Sequence, residues 1–249
     1  MKLSKILKST AILLLWLVVW QLAAVLINQE ILIPTPLATF RALLVMCRTG
    51  KFYMSVLLSL LRIIAGYTAG VASGIICGIL SYRFKTFKAV FSPILQLVKA
   101  VPVASFIILA LVWLHAATLP IFISFLMVLP MIWTNVETGL SGIDKKYLEM
   151  AEVYKIDKLK VFFQIKMPFI MPSLISASLT ALGFAWKSGI AAEVICRPKN
   201  SLGNMLQESK LYIETPEVFA LTAVVALLSM LLELVIRRTL RRYTHDNPR

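Results

Sequence analysis

Acidic side chains are scarce in this sequence. Its 249 residues include 12 Asp and Glu against 26 Lys and Arg, a formal net charge of +14, and charged residues of both signs make up only 15% of the chain. A soluble domain carries roughly a quarter. Histidine is scarcer still, with His115 and His245 alone, and the three cysteines, Cys47, Cys77 and Cys196, are scattered. These offer no metal-ligand spacing, so neither a metal site nor a structural disulfide is expected. No G-x-x-x-x-G-K-[ST] sequence occurs, so the chain lacks the usual loop for cradling nucleotide phosphates. No nucleophile, base and orienting group stand together. No basic face interleaved with exposed aromatics lies outside the apolar runs, which argues against nucleic-acid binding despite the positive charge.

What the sequence has in excess is apolar length: 59% of its residues are hydrophobic and its mean hydropathy is +0.83. The excess falls into six runs, about 11–27, 55–82, 92–114, 119–138, 169–194 and 218–236. Each approaches the ~20 residues that span a ~30 Å hydrocarbon core at ~1.5 Å per residue. A signal peptide also opens with cations such as Lys2, Lys5 and Lys8, but its apolar core is only about 7–15 residues long. The expected fold is therefore an all-α polytopic membrane protein with six transmembrane helices. Pro93, Pro102, Pro120, Pro130 and Pro172 fall in or beside the runs, so the third and fourth spans are expected to be short or kinked.

Six spans put both termini on one side, and the cations choose which. With the N-terminus inside, the cytoplasmic segments hold Lys2, Lys5, Lys8, Arg83, Lys85, Lys88, Lys145, Lys146, Lys155, Lys158, Lys160, Lys166, Arg237, Arg238, Arg241, Arg242 and Arg249. The outer segments hold only Arg41, Arg48, Lys51, Arg197, Lys199 and Lys210. A bias of seventeen to six predicts cytoplasmic termini. In the first outer segment, Thr35 and Pro36 read as an N-cap and first-turn proline opening a short helix. In the second, Thr215-Pro216 reads as the start of the sixth span.

Gly66, Gly70, Gly74 and Gly78 recur every four residues in the second span and mark one helix face for close approach by another backbone. Packing within the subunit and a contact between subunits both fit that pattern. Arg62, Lys99, Lys187 and Glu193 are charges inside or at the ends of spans, where charge is costly and faces a cavity or a partner. Lys99 and Lys187, with Trp186 and Glu193, are candidates for a substrate path suited to an anion. The competing reading is structural: Lys187 pairs with Glu137 or Glu233, Lys99 snorkels to the interface, and Trp186 packs.

The longest cytoplasmic loop, 140–168, is charged. Asp144 is placed to N-cap a helix in which Tyr147, Met150, Ala151 and Tyr154 form a stripe at i, i+3, i+4 and i+7, with Glu149 off it. The pattern then breaks. Asp157 is placed to cap a second short helix, with a bend near Lys155 to Asp157, and Pro168 suits a turn into the fifth span. Such a pair serves either as an interfacial element in the headgroup layer or as a docking element for a soluble partner.

"EMAEVYKIDKLKVFFQIKMP", Glu149 to Pro168, resembles the EAA signature of binding-protein-dependent ABC transporter permeases. Glu149, Ala151 and Pro168 match it, as does the hydrophobic spacing through Phe163, Ile165 and Met167. Met150 stands for its first alanine, and Lys155 for its glycine. "ILIPTP", "SLLRIIAGY", "SPILQLVKAVP" and "AWKSGIAAEV" extend the resemblance to the nitrate/sulfonate/taurine-type branch. The resemblance implies a type I importer permease with both termini cytoplasmic, in a bacterial inner membrane. Residues 1–249 then form one permease domain, with a five-helix core at 55–236 and the loop 140–168 as a coupling element. Tyr147, Glu149, Met150, Ala151, Tyr154, Lys155 and Asp157 are the implied ATPase-coupling residues. The implied partners are a dimer of ATPase chains carrying ATP and Mg, a second permease chain in a homodimer, an extracytoplasmic substrate-binding protein and membrane lipid. No cofactor is expected on this chain. An ion-coupled carrier and an integral membrane enzyme are the alternatives. The first favours an acidic mid-membrane relay and the second an interfacial cluster of His, Asp or Glu, and the sequence offers neither.

Overall fold

The computed structural model describes the backbone of residues 2–245 and the side chains of residues 11–239 apart from position 13. The side chains of Lys2, Lys5, Lys8, Arg241 and Arg242, and all of Arg249, lie outside the described residues. Every regular element among the described residues is helical. Helix α1 is Lys2–Ile27, α2 Pro36–Met46, α3 Gly50–Arg83, α4 Lys85–Ala100, α5 Val103–Ala110 and α6 Leu119–Ser141. They are followed by α7 Lys145–Val153, α8 Lys158–Val161, a π-turn at Phe162–Lys166, α9 Met167–Cys196, α10 Leu202–Leu211 and α11 Thr215–His245.

Four helical stretches are long and apolar enough to cross a membrane: Gly50–Arg83, Leu119–Ser141, the continuous Lys158–Cys196 and Thr215–Thr239. The run expected as a short or kinked third span is bent so sharply that it forms two helices. It is the pair α4 and α5, bent by 105°. Pro102 sets the break, because its ring keeps the preceding Val101 extended, at φ −81° and ψ 132°. Counted as one broken span, the pair gives five crossings. Six require α1 as well, through its apolar stretch Leu14–Ile27. The two prolines of α6 leave that helix unbroken: Pro120 lies in its first turn, where no N–H is needed, and Pro130 lies inside it.

The core is the sandwich of α3, α6 and α9. Gly66, Gly70, Gly74 and Gly78 are all buried along α3 and face Ser124, Val128, Ile132 and Val136, a matching every-fourth ladder on α6. A Cβ built on Gly70 would stand 2.7 Å from Val128 Cβ, and one on Gly74 2.7 Å from Ile132 Cβ. The α3 backbone thus lies against the β-branched side chains of α6 with no space between them. In lipid such packing has to hold helices together without a hydrophobic driving force of its own.

On the other side of α6, Ile170, Leu174, Ala181, Leu182 and Ala185 of α9 complete the buried cluster. Several polar side chains inside the sandwich find partners locally, while Ser55 Oγ of α3 and Asn135 Oδ1 of α6 are buried without one. Trp133 Nε1 donates to Ser81 Oγ at 2.7 Å, Ser124 Oγ to the Ala185 carbonyl at 3.1 Å, and Tyr67 Oη to the Ser178 carbonyl at 3.2 Å. Thr35 caps α2 as expected, its Oγ1 accepting from Ala38 N at 3.2 Å.

Candidate functional site

Both acidic caps form in the loop between α6 and α9. The Asp144 carboxylate accepts from Lys146 N at 3.0 Å and starts α7, and the Asp157 carboxylate accepts from Leu159 N at 3.2 Å and starts α8. Between them Lys155 adopts φ 50°, the left-handed region. Ile156 N donates to the Ala151 carbonyl at 2.9 Å and Lys155 N to the Glu152 carbonyl at 3.0 Å, the two bonds of a Schellman closure. The bend therefore sits on Lys155, the position of the signature's glycine. A residue with a Cβ takes that backbone at a cost of about 1–2 kcal/mol.

The apolar stripe of α7 does not stay on one side. Tyr147, Met150 and Tyr154 are 53%, 45% and 74% exposed, and Val153, which sequence periodicity left out, is 78% exposed. Glu149 stands in solvent among them. Ala151 is 2% exposed, turned toward the bundle with Leu148. Lys145, Lys146 and Glu152 are exposed as well, and the apolar part of the open surface is Tyr147, Met150, Val153 and Tyr154 around Glu149.

Pro168 makes no turn, contrary to the sequence expectation. It lies in the first turn of α9, inside a helical stretch that continues from Lys158 to Cys196. The strain appears upstream. Pro168 lacks an N–H and its ring crowds the carbonyl four residues back, and the ladder widens just before it into the π-turn Phe162–Lys166, closed by Met167 N on the Phe162 carbonyl.

The four candidate path residues separate into two kinds. Trp186 is 2% exposed and its Nε1 donates to the Val225 carbonyl of α11 at 3.0 Å. Glu193 is fully buried. Lys99 and Lys187 are exposed. Lys99 Nζ donates to Thr134 Oγ1 at 2.7 Å. Lys187 has no ion pair among the described residues, and the carboxylates considered for it are engaged elsewhere: Glu137 with Lys88 at 2.5 Å and Glu233 with Arg237 at 2.6 Å. Lys187 lines an open groove of about 360 Å³ between α9 and α11 with Ser176, Thr180, Glu233 and Arg237.

Sequence reasoning missed the cluster around Glu193. Ser59 Oγ donates to its Oε2 at 2.6 Å, Gly203 N donates to the same oxygen at 3.2 Å, and Arg62 stands 3.5 Å from Oε1. The Arg62 guanidinium also reaches the carbonyls of Lys199 and Asn200, both at 3.3 Å, and Leu202 N donates to Ser59 Oγ at 2.9 Å. A buried carboxylate with this many donors clamps the start of α10 to α3 and α9. A Cβ on Gly203 would collide with the Glu193 side chain, so only glycine fits there. The available signal was charge of opposite sign at matching depth: Arg62 falls early in the expected second span and Glu193 late in the expected fifth, which run in opposite directions.

At the far rim of the same helix, Lys51 Nζ donates to Glu208 Oε2 at 2.8 Å. That bond, aided by one from Asn204, holds the Glu208 carboxyl below its usual range. Nearby Glu214 is pushed up by a hydrogen bond and like charge from Glu217.

Residues 70–245 match the family model described as "Binding-protein-dependent transport system inner membrane component". The taurine transport system permease protein of Escherichia coli (strain K12) is 26% identical over 231 residues, 90% of this chain and 84% of the relative. A putative aliphatic sulfonates transport permease protein of Bacillus subtilis (strain 168) is 24% identical over 242 residues, 91% of this chain and 81% of the relative. Among solved structures, an amino acid ABC transporter chain superposes with a TM-score of 0.61 at 15% identity, covering 80% of this chain and 95% of that one. A chain of the methionine ABC transporter in an inward-facing conformation gives 0.57 at 14% identity, covering 76% and 93%. At these identities the two superpositions speak to fold.

Proposed function

The chain belongs to the family of binding-protein-dependent transport system inner membrane components, and we propose that it is the permease subunit of an ATP-driven importer in a bacterial cytoplasmic membrane. In this reading α1 is the first of six crossings, the bent α4–α5 pair is the third, and both termini are cytoplasmic. The seventeen-to-six distribution of cations supports that orientation. ATP and Mg belong to a partner ATPase dimer, since this chain has no phosphate-cradling loop. A second copy of the chain completes the path, and an extracytoplasmic binding protein delivers the substrate. The substrate is a small organic or inorganic anion such as a sulfonate. Relatives named for taurine and aliphatic sulfonates support this, as do Lys99 and Lys187, exposed on the bundle.

The observation that carries the reading is the loop: two short, acid-capped helices bent at Lys155, presenting Tyr147, Met150, Val153 and Tyr154 to solvent with Glu149 among them. An apolar stripe of this kind on a short helix suits a groove on a soluble partner. Nucleotide-driven closure of the ATPase dimer then shifts the bundle between two states through this loop.

The test is co-purification in detergent with candidate P-loop ATPase subunits from the same organism. Wild type is expected to retain the ATPase. Glu149→Arg and the Tyr147→Ala/Met150→Ala double variant are expected to lose it while keeping their elution profile. Retention by both variants at the wild-type level overturns the coupling role of the loop.

A further inference from the structure

Behind the loop, on the side of α7 away from its open surface, lies a cavity of about 680 Å³, within the ~300–1,000 Å³ range of small-ligand sites. Its floor is apolar, formed by Leu148, Ala151, Ile156 and Phe162, and its rim carries Arg83, Lys158 and Lys166 against the single carboxylate of Glu152. None of the three cations has a carboxylate within ion-pair distance among the described residues. Lys166 is held in place from one side only, its Nζ 3.5 Å from Tyr82 Oη and 4.8 Å above the Tyr82 ring. Lys166 also lines the cavity.

The depth of the rim matters as much as its sign. Arg83 is the last residue of α3, and Lys166 precedes the apolar part of the continuous Lys158–Cys196 stretch. In the proposed topology both stand at the cytoplasmic edge of the hydrocarbon. A cavity with a greasy floor and a cationic rim at that level matches an amphiphile with an anionic head better than a free solute.

We propose that this cavity binds the phosphate headgroup of an acidic phospholipid, with Arg83, Lys158 and Lys166 as its donors and the apolar floor under the glycerol and upper acyl chains. Basic pockets at the cytoplasmic ends of membrane helices take such headgroups. The assignment rests on the reading that puts α7 and α8 at the cytoplasmic surface and leaves the opposite side of α7 to the ATPase. A lipid seated here fills the space between the coupling loop and the end of α3, so acidic lipid props the loop in the position seen.

Native mass spectrometry of the full chain in detergent tests this, with phosphatidylglycerol, with phosphatidylcholine of the same acyl chains, and with inorganic phosphate. Wild type is expected to retain phosphatidylglycerol preferentially. Arg83→Gln and Lys166→Gln are each expected to weaken retention about fivefold, the effect of one basic residue near an anionic surface. Lys145→Gln/Lys146→Gln removes two cations from the same loop outside the cavity and is expected to leave retention unchanged.

Equal retention of the two lipids, or an equal loss in the Lys145/Lys146 control, reduces the effect to general surface attraction and overturns the site. Displacement of phosphatidylglycerol by inorganic phosphate assigns the cavity to a free anion. A disulfide between two copies of an Arg83→Cys variant that excludes lipid assigns it to the second subunit. Either outcome overturns the lipid. The orientation is read separately, by labelling Lys146→Cys in sealed vesicles of each sidedness, so a failure there is distinct from failure of the cavity.

Discussion

Ser59 Oγ and Glu193 Oε2 lie 2.6 Å apart with neither side chain exposed, joining α3 to α9 across 134 residues of sequence. The same hydroxyl accepts from Leu202 N at 2.9 Å, so one serine holds three helices. Ser59→Ala leaves both partners short of a bond, an expected loss of about 1–3 kcal/mol. Glu193→Ala strands Arg62 and opens the α10 attachment as well, an expected loss of about 3–5 kcal/mol. Thermal unfolding of the purified protein in one detergent ranks them, and a Glu193→Ala protein as stable as Ser59→Ala refutes the clamp.

The glycine ladder predicts a strict asymmetry. Gly70→Ala is expected to cost about 1–3 kcal/mol by forcing α3 away from α6. Its nearest obstacle is Val128 Cβ at 2.7 Å, ahead of Cγ1 at 2.9 Å. Val128→Ala keeps that Cβ and relieves little, whereas Val128→Gly removes it. A double-mutant cycle read by thermal unfolding is expected to show strong coupling of Gly70→Ala with Val128→Gly and weak coupling with Val128→Ala.

Lys155 offers a substitution that helps. Lys155→Gly keeps the turn and relieves the left-handed strain, an expected local gain of about 1 kcal/mol, and Lys155→Val is expected to cost more than the glycine gains. Hydrogen exchange over Asp144 to Lys166 reads both: slower for glycine, faster for valine. Identical exchange in all three proteins is incompatible with a bend centred on this residue.

The rim of α10 responds to acid through two groups of opposite sign. Glu208 has its carboxyl lowered by Lys51, so its contribution is present above the ordinary glutamate pKa of about 4.3 and is lost as pH falls below it. Glu214 is raised by Glu217, so its contribution is present at low pH and disappears as pH rises past its folded pKa. Lys51→Ala is expected to abolish the first effect and leave the second. Protection of α10 from hydrogen exchange, followed from pH 6 downward, is then expected to fall on acidification less steeply in the variant than in wild type.

Much of this was legible in the sequence wherever the signal was local. Run length gave the helices, Asp144, Asp157 and Thr35 announced their own caps, and four glycines at a fixed spacing announced a close approach without naming the helix they approach. The bend near Lys155 was legible too, although the residue is the wrong type for it, because Asp157 marks the next helix start. What escaped was non-local. The break at Pro102 turns one apolar run into two helices, and hydropathy has no sense of direction. Pro168 reads as a stop, yet a π-turn upstream absorbs it. Lys187 looked for an acid along the same reasoning that left Arg62 and Glu193 unpaired, because depth in a bundle is set by packing that no single run contains.

Because the helical stretch is continuous from Lys158 to Cys196, the second helix of the loop and the Glu193 clamp are opposite ends of one lever. At about 1.5 Å per residue its 39 residues reach about 58 Å. Its midsection is wedged against α6, and its far tip is pinned to Ser59. A push on α8 that the π-turn and Pro172 do not absorb by bending tilts the rod, with the wedged midsection as fulcrum, and loads the pin at the other end.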